Sequence, residues 1–206
     1  NMANNSTESG KKDRKIIKGE KVEYFKDDSF LLIKNGTILT TTKNFEIDSD
    51  IIEYKIDKSM LYLRENVKVK DNVNNLLMSS NEIDYKVKKQ EIISQDSSEI
   101  IDEFNNIYKV DGFEYSIGNR IIKLDNLIAL DKNKNSFLVD LSYLDLNKKE
   151  LIAKDIAMNF KLTETSENEP RLKGRSLISN EQNTIIKKGT FTFCKKRGAC
   201  PPWEMS

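Results

Sequence analysis

The sequence contains no histidine. That removes serine and cysteine triads, most zinc sites and the usual general base. Cysteine is nearly absent: Cys194 and Cys200 are the only two, and without histidine they cannot complete a four-ligand zinc site. Proline occurs three times, at Pro170, Pro201 and Pro202, so none interrupts an extended segment before residue 170. No run approaches the roughly eighteen apolar residues of a membrane-spanning helix. No secretory leader is visible at the start. The formal net charge is only +1, which argues against nucleic-acid binding by bulk charge. Carboxylates are plentiful enough for a glycosidase-like pair. They are instead scattered through alternating segments and turns, the pattern of a solvated face. The expectation is a protein with no catalytic residues, no cofactor and no metal.

What the chain does have is a tyrosine that returns inside a small pattern. Val22-Glu23-Tyr24 is followed by Ile52-Glu53-Tyr54, Ile83-Asp84-Tyr85 and Phe113-Glu114-Tyr115, at steps of 30, 31 and 30 residues. A weaker copy, Leu141-Ser142-Tyr143, comes 28 residues later, and five of the seven tyrosines sit on this register. A fixed period in this range signals a repeated supersecondary unit stacked on its neighbours. Such proteins work through extended surfaces and grooves. The 206 residues suffice for one sizeable domain or two small ones. With 33% charged and 37% hydrophobic residues the chain is polar for a globular protein but not disordered.

Around the tyrosines, apolar and polar residues alternate, the period of a half-buried strand. Ile52, Tyr54 and Ile56 share one face, opposite Glu53 and Lys55. Leu61 and Leu63 oppose Tyr62 and Arg64, and Val67 and Val69 oppose Lys68 and Lys70. Ile83, Tyr85 and Val87 make the next set, and Phe113, Tyr115 and Ile117 a fourth. A one-residue slip would send each set into water, so the register is well specified. Breaks fall about twelve residues after each tyrosine, at Asn35-Gly36, Glu65-Asn66, Gln95-Asp96-Ser97, Asp125-Asn126 and Lys154-Asp155. A shorter break follows each tyrosine strand, at Asp27-Asp28, Asp57-Lys58, Lys88-Lys89, Gly118-Asn119 and Asn147-Lys148. Residues of these types tolerate positive φ or bond their own backbone. Each repeat is therefore read as two or three short strands in a meander. Ser98–Tyr108 also fits a helix, with Ile100, Ile101, Phe104, Ile107 and Tyr108 at helical spacing and Ser97 or Ser98 as cap. The periodic register favours strand there.

Three segments follow: a flexible polar lead-in over 1–15, a β-domain over 16–193 and a cysteine-containing linker over 194–206. The lead-in carries Lys11, Lys12, Arg14 and Lys15, which also fit a basic arm on anionic lipid. The alternation that begins at Trp203-Glu204-Met205 is cut off, as in a fragment of a longer protein.

The meander resembles the OstA-like β-jellyroll of the lipopolysaccharide transport proteins over roughly residues 19–193. The resemblance rests on units such as Leu61-Tyr62-Leu63-Arg64-Glu65-Asn66-Val67-Lys68-Val69 followed by Ser80-Asn81-Glu82-Ile83-Asp84-Tyr85. The tail, Thr190-Phe191-Thr192-Phe193-Cys194 and Cys200-Pro201-Pro202-Trp203-Glu204-Met205, resembles the linker into the barrel in the LptD family of outer-membrane LPS-assembly proteins. The resemblance implies an all-β, antiparallel, twisted and partly open sandwich at the periplasmic face of the Gram-negative outer membrane. It implies a non-enzymatic domain that receives lipopolysaccharide from a jellyroll bridge protein and passes it to a barrel. A periplasmic bridge protein of the same jellyroll family is the alternative, as is a structural β-repeat or adhesin stalk.

The partners implied are the lipid A acyl chains, a jellyroll bridge protein paired along an edge strand, and an outer-membrane lipoprotein plug reached through the barrel. The candidate docking edge is Lys18–Phe25, against which stand the charges of Lys18, Glu20, Lys21 and Glu23. The candidate lipid groove is Tyr24, Ile52, Tyr54, Leu61, Leu63, Val67, Val69, Ile83, Tyr85, Phe113, Tyr115, Ile117 and Leu124, with Val22 on the same face. The same residues also read as an ordinary sandwich core. Cys194 and Cys200 have three readings: a local disulfide worth about 2 kcal/mol in the chain-entropy model, bonds to barrel cysteines as the family implies, or free thiols.

Overall fold

The computed structural model of the protein describes residues 15–40, 44–130, 136–159, 170–180, 182–192 and 203–205. All regular structure among them is β. The strands are β1 (Lys15–Phe25), β2 (Phe30–Thr40), β3 (Phe45–Lys55), β4 (Met60–Asp71) and β5 (Leu76–Lys86). Next come β6 (Glu91–Ser94), β7 (Ser98–Ile101), β8 (Ile107–Val110), β9 (Gly112–Ser116) and β10 (Ile121–Leu130). The last are β11 (Ser136–Asp145), β12 (Glu150–Asn159), β13 (Arg171–Ser179), β14 (Thr184–Thr192) and β15 (Trp203–Met205). All pairings are antiparallel and join one sheet in chain order, with β6 and β7 together filling one strand position and β8 and β9 the next. The segment 98–108 holds two strands, β7 and β8, and no helix. The fold is the antiparallel all-β meander expected.

The two kinds of sequence break do different jobs. The short breaks are the hairpin turns, each closing on a residue in the left-handed region: Ser29, Ser59, Gln90, Arg120 and Lys149, at φ 51, 53, 56, 58 and 53°. These turns stack. The carbonyl of Ser29 accepts from Ile56 N–H at 3.0 Å, Ser59 from Val87 at 3.0 Å, Gln90 from Ile117 at 2.9 Å and Arg120 from Leu146 at 2.9 Å. Most of the longer breaks lie inside strands. Asn35, Glu65, Asn66, Asn126 and Asp155 have φ between 46 and 63° in the middle of β2, β4, β10 and β12. Strands of ten to twelve residues therefore replace the shorter ones expected.

At the midpoints of β2, β10 and β12 the inward-facing parity changes. In β2 the buried positions are Ile33 and then Gly36 and Ile38; in β10 they are Ile122, Leu124 and then Leu127; in β12 they are Ala153 and then Ile156 and Met158. A skipped residue lets the chain bend while the apolar side stays inside. In β4 two residues, Glu65 and Asn66, are skipped, so Leu61, Leu63, Val67 and Val69 keep a common parity. Side-chain amides brace the bends. Asn35 Nδ2 donates to Glu20 at 2.8 Å, Asn66 to Asp50 at 2.6 Å and Asn126 to Asp111 at 2.8 Å. The buried Ser49 takes backbone groups at the bend: its Oγ accepts from Arg64 N–H at 3.1 Å and donates to a carbonyl at 2.8 Å. At Gly36 a Cβ would come within 2.7 Å of Ile33 Cγ2 and 2.8 Å of Ile52 Cδ1, so the backbones approach there because no side chain intervenes.

The bends fold the sheet onto itself. Leu61 is joined to Tyr115 through the ladder Tyr85 and Ile92. Asp71 lies ten residues beyond Leu61 on β4, about 30 Å away if that strand were straight. Yet the Tyr115 hydroxyl is 2.6 Å from Asp71. The two ends of the bent strands meet, enclosing one apolar cluster from Ile33 to Leu177. Asn126→Ala is expected to destabilise the fold by about 1–2 kcal/mol, since alanine tolerates left-handed backbone poorly and loses the bond to Asp111. Urea denaturation checks it; an unchanged midpoint would remove the bend from the account.

Candidate functional site

The tyrosine period follows from the pairing register. Directly opposed residues form the row Tyr24, Leu31, Tyr54, Leu61, Tyr85, Ile92, Tyr115, Ile122, Leu144 and Leu151 across successive strand positions. One step along the sequence pattern spans two strands and a turn, so tyrosine and aliphatic residues alternate across the inner face. Tyr143 is off this row. The inward place in β11 belongs to Leu144, and Tyr143 is exposed beside Ile152 on the outer face.

The row is not uniformly covered. Of the candidate groove residues, Ile52, Leu61, Leu63, Val67, Val69, Ile83, Phe113, Tyr115 and Leu124 are buried. Tyr54, Tyr85 and Ile117 are partly buried against that cluster. Val22 and Tyr24 lie on the same face, opposite Ile33 and Leu31, but are 54% and 56% exposed. They sit on β1, which among the described residues pairs with β2 on one side only, so no described strand covers the inner face at that edge. The sandwich is thus closed in its middle and open at its first strand.

Opposite the line of bends, the strand ends meet along a seam that the sequence reading missed. Its core is Asp71, fully buried. Asp71 Oδ2 accepts from the Tyr115 hydroxyl and from Asn74 Nδ2, both at 2.6 Å; Oδ1 accepts from the Val73 and Asn74 N–H groups at 2.9 and 3.1 Å. Burying a carboxylate is tolerable only with such a set of donors. Asn74 Oδ1 in turn accepts from Arg120, at 3.0 Å from Nε and also from Nη2. A second copy lies one turn along. Asp102 takes the Tyr108 hydroxyl at 2.9 Å, Asn106 Nδ2 at 2.8 Å and two N–H groups at 2.9 Å. Next to it Lys149 pairs with Glu103 at 2.8 Å and lies over the Phe104 ring. The only signal in the sequence was an aspartate followed three or four residues later by asparagine, twice, in turns that were not read as turns.

Two cavities flank this seam. One, of about 540 Å3, is lined by Leu76, Tyr108, Leu144, Leu146 and Leu151 with Phe104 and Lys149. The other, of about 500 Å3, is lined by Phe45, Tyr85, Val87 and Ile117 with Asp71. Both lie in the usual size range of ligand pockets. A third, of about 1050 Å3, is an open polar trough along the bends, lined by residues such as Asn35, Asp50, Asn66 and Asn126. Among the described residues no cluster of ligating side chains holds a metal. Cys194 and Cys200, with the disulfide read for them, lie outside the described residues, as do 1–14 of the lead-in. Of the linker, Trp203–Met205 pair with β14 and extend the sheet.

Burial raises the ionisation of both seam tyrosines well above the ordinary phenol value, and their aspartate neighbours push the same way. A phenol whose pKa is raised on folding contributes stability that is intact below its unfolded value and is lost as pH rises above it. Stability is therefore expected to fall from about pH 10 upward. Tyr115→Phe is expected to cost about 1–3 kcal/mol at pH 7 through the weakened Asp71 set and to fall less steeply above pH 10. Denaturation midpoints between pH 7 and 11 check it; parallel pH curves for wild type and variant would refute the buried phenol.

Residues 1–126 match the family described as lipopolysaccharide-assembly, LptC-related. No curated protein matches the chain. Among solved structures, the chain is similar to LptH from Pseudomonas aeruginosa, described as the LptA-homologous periplasmic component of that organism's lipopolysaccharide transport device. Identity is 12%, coverage is 50% of this chain and 76% of that one, and the TM-score is 0.45. The family match points away from LptD in particular: it is to the LptC-related family, whose members move lipopolysaccharide without catalysis. With more than half its length matched, this jellyroll chain belongs to the LptC-related lipopolysaccharide-assembly family.

Proposed function

We propose that the protein is a periplasmic jellyroll of the bridge type, which holds lipopolysaccharide acyl chains between the halves of its folded sheet and shares them with a neighbouring jellyroll. The observation that carries this reading is the inner face itself. It is largely apolar on both arms of the bends and is uncovered among the described residues at β1, where Val22 and Tyr24 are exposed. Its tyrosines suit a lipid path, since each ring is apolar and each hydroxyl can turn to water or a polar partner. Membership of a lipopolysaccharide-assembly family supplies the lipid. Family membership favours the bridge reading over that of a receiving domain before a barrel. The outer-membrane site and the lipoprotein plug went with that receiving role, which rested on the tail around Cys194 and Cys200.

Edge pairing follows from the same place. The side of β1 away from β2 has no strand partner among the described residues, which makes it a template for another strand. A strand added there would continue the tyrosine–aliphatic row and cover Tyr24. The charges at Lys18, Glu20, Lys21 and Glu23 guard the edge against unselective pairing, with Lys21 and Glu23 paired to each other at 2.9 Å.

Photocrosslinking residues placed singly at Tyr54, Tyr85 and Tyr115 are expected to capture lipopolysaccharide, and those at the outward Tyr62 and Tyr143 are not. Folded protein with no capture at any inner site would end the groove assignment. Tyr24→Ala is expected to weaken binding to an LptA-type jellyroll about tenfold without changing the unfolding midpoint, measured by surface-immobilised titration. Unchanged affinity would move the contact to another edge.

A further inference from the structure

Arg120 is a seam cation that makes no direct ion pair among the described residues, and the buried Asp71 carboxylate is linked to it only through the side chain of Asn74. The nearby carboxylates are each engaged: Asp71 and Asp102 by their tyrosine, asparagine and backbone donors, and Glu103 by Lys149. Arg120 has no carboxylate at ion-pair distance among the described residues and donates only to the neutral Oδ1 of Asn74. A guanidinium has five N–H donors in a rigid fork, and one amide oxygen cannot use them all. A partly buried arginine bound to a neutral acceptor holds its charge at a cost that an oxyanion would relieve.

Its position gives that charge a use. Val73, Asn74 and Arg120 line both seam cavities, so the Asn74–Arg120 contact is part of the wall between them. On one side lie Leu144, Leu146 and Leu151, and on the other Tyr85 and Ile117. Val73, in the wall itself, is an exposed apolar side chain. Both cavities have mixed linings, with Asn44, Asp71 and Gln90 on the Tyr85 side and Asp102, Glu103 and Asn106 on the Leu144 side. Apolar side chains on each side of a guanidinium without a direct ion pair nonetheless fit a ligand with hydrocarbon chains and an anionic head.

We propose that Arg120 is the receptor for a phosphate group of an acyl lipid whose chains occupy the two flanking cavities. In the lipid-free state Asn74 Oδ1 is a stand-in acceptor. When phosphate takes the guanidinium, the Asn74 contact opens and the two cavities join across the seam. This rests on the reading above that the folded sheet carries acyl chains, and it adds which atom meets the head group and where.

The test measures equilibrium binding of three probes: phosphorylated lipid A, the same lipid with its phosphates removed, and inorganic phosphate. The proteins are wild type, Arg120→Gln, Arg120→Lys and the surface control Lys148→Gln. Glutamine at 120 can still bond Asn74, and thermal unfolding verifies that each variant is folded. Wild type is expected to prefer the phosphorylated lipid about tenfold, the scale of one charge-assisted pair. Arg120→Gln is expected to lose that preference while binding the dephosphorylated lipid as before. Arg120→Lys should keep part of the preference, and Lys148→Gln all of it.

Equal binding of both lipids by wild type, or a preference that survives in Arg120→Gln, overturns the proposal and leaves acyl carriage standing. Inorganic phosphate bound as tightly as the phosphorylated lipid makes Arg120 an anion site unrelated to the cavities, which also overturns it. Failure of folded wild type to bind either lipid sinks acyl carriage and the proposal together.

Discussion

The bent strands must present an apolar side inward on both arms of a bend. In β2, β10 and β12 one skipped residue shifts the inward parity at the bend, and in β4 two are skipped so that the parity is kept. Asn35, Asn126 and Asp155 occupy left-handed backbone that most residues avoid, and two of them return a side-chain bond to the strand before. Gly36 and the buried Ser49 are consequences of the same bend, one making room and the other supplying hydrogen bonds. The enclosed cluster, the seam and the open first strand exist because the bends line up.

The seam is the counterpart of the bends. Polar ties close it, although the interior is apolar. Two bonds of 2.6 Å run to buried Asp71, and an ion pair joins Lys149 to Glu103 across the two strand ends. Such ties are strong only while complete: remove one donor and a buried carboxylate is left short. A closure made of a few hydrogen bonds can open without dismantling the ladder pairs. Under the proposed function, such a closure suits the entry of a lipid from the side. The stacked hairpin turns hold their spacing meanwhile, each carbonyl bonded to the next turn.

Much of the strand structure was legible because its causes are local. Alternation at Ile52 and Tyr54, at Leu61 and Leu63, and at Phe113 and Tyr115 named the buried face correctly. The thirty-residue tyrosine step was a true repeat and became a single row across the sheet. Three features were misread or missed. The longer breaks were taken for ends of short strands, since asparagine and aspartate serve equally in a turn and in a bend. Tyr143 was placed with the inner tyrosines, yet the later repeat is one residue out of step and Leu144 faces in. The seam residues Asp71, Asn74 and Arg120 were not singled out.

The sequence by itself determined the strand class, the inner face and the period, because a side chain's alternation depends on its immediate neighbours. Tertiary structure alone decided which polar residues meet. Asn74 reaches Tyr115 across 41 residues of chain and Arg120 reaches Asn74 across 46. No local pattern encodes such a contact; it arises when bent strands bring their two ends together. The exposed Tyr24 follows the same rule, since it shares the row of the buried Tyr115 but has, among the described residues, no strand on the side away from β2.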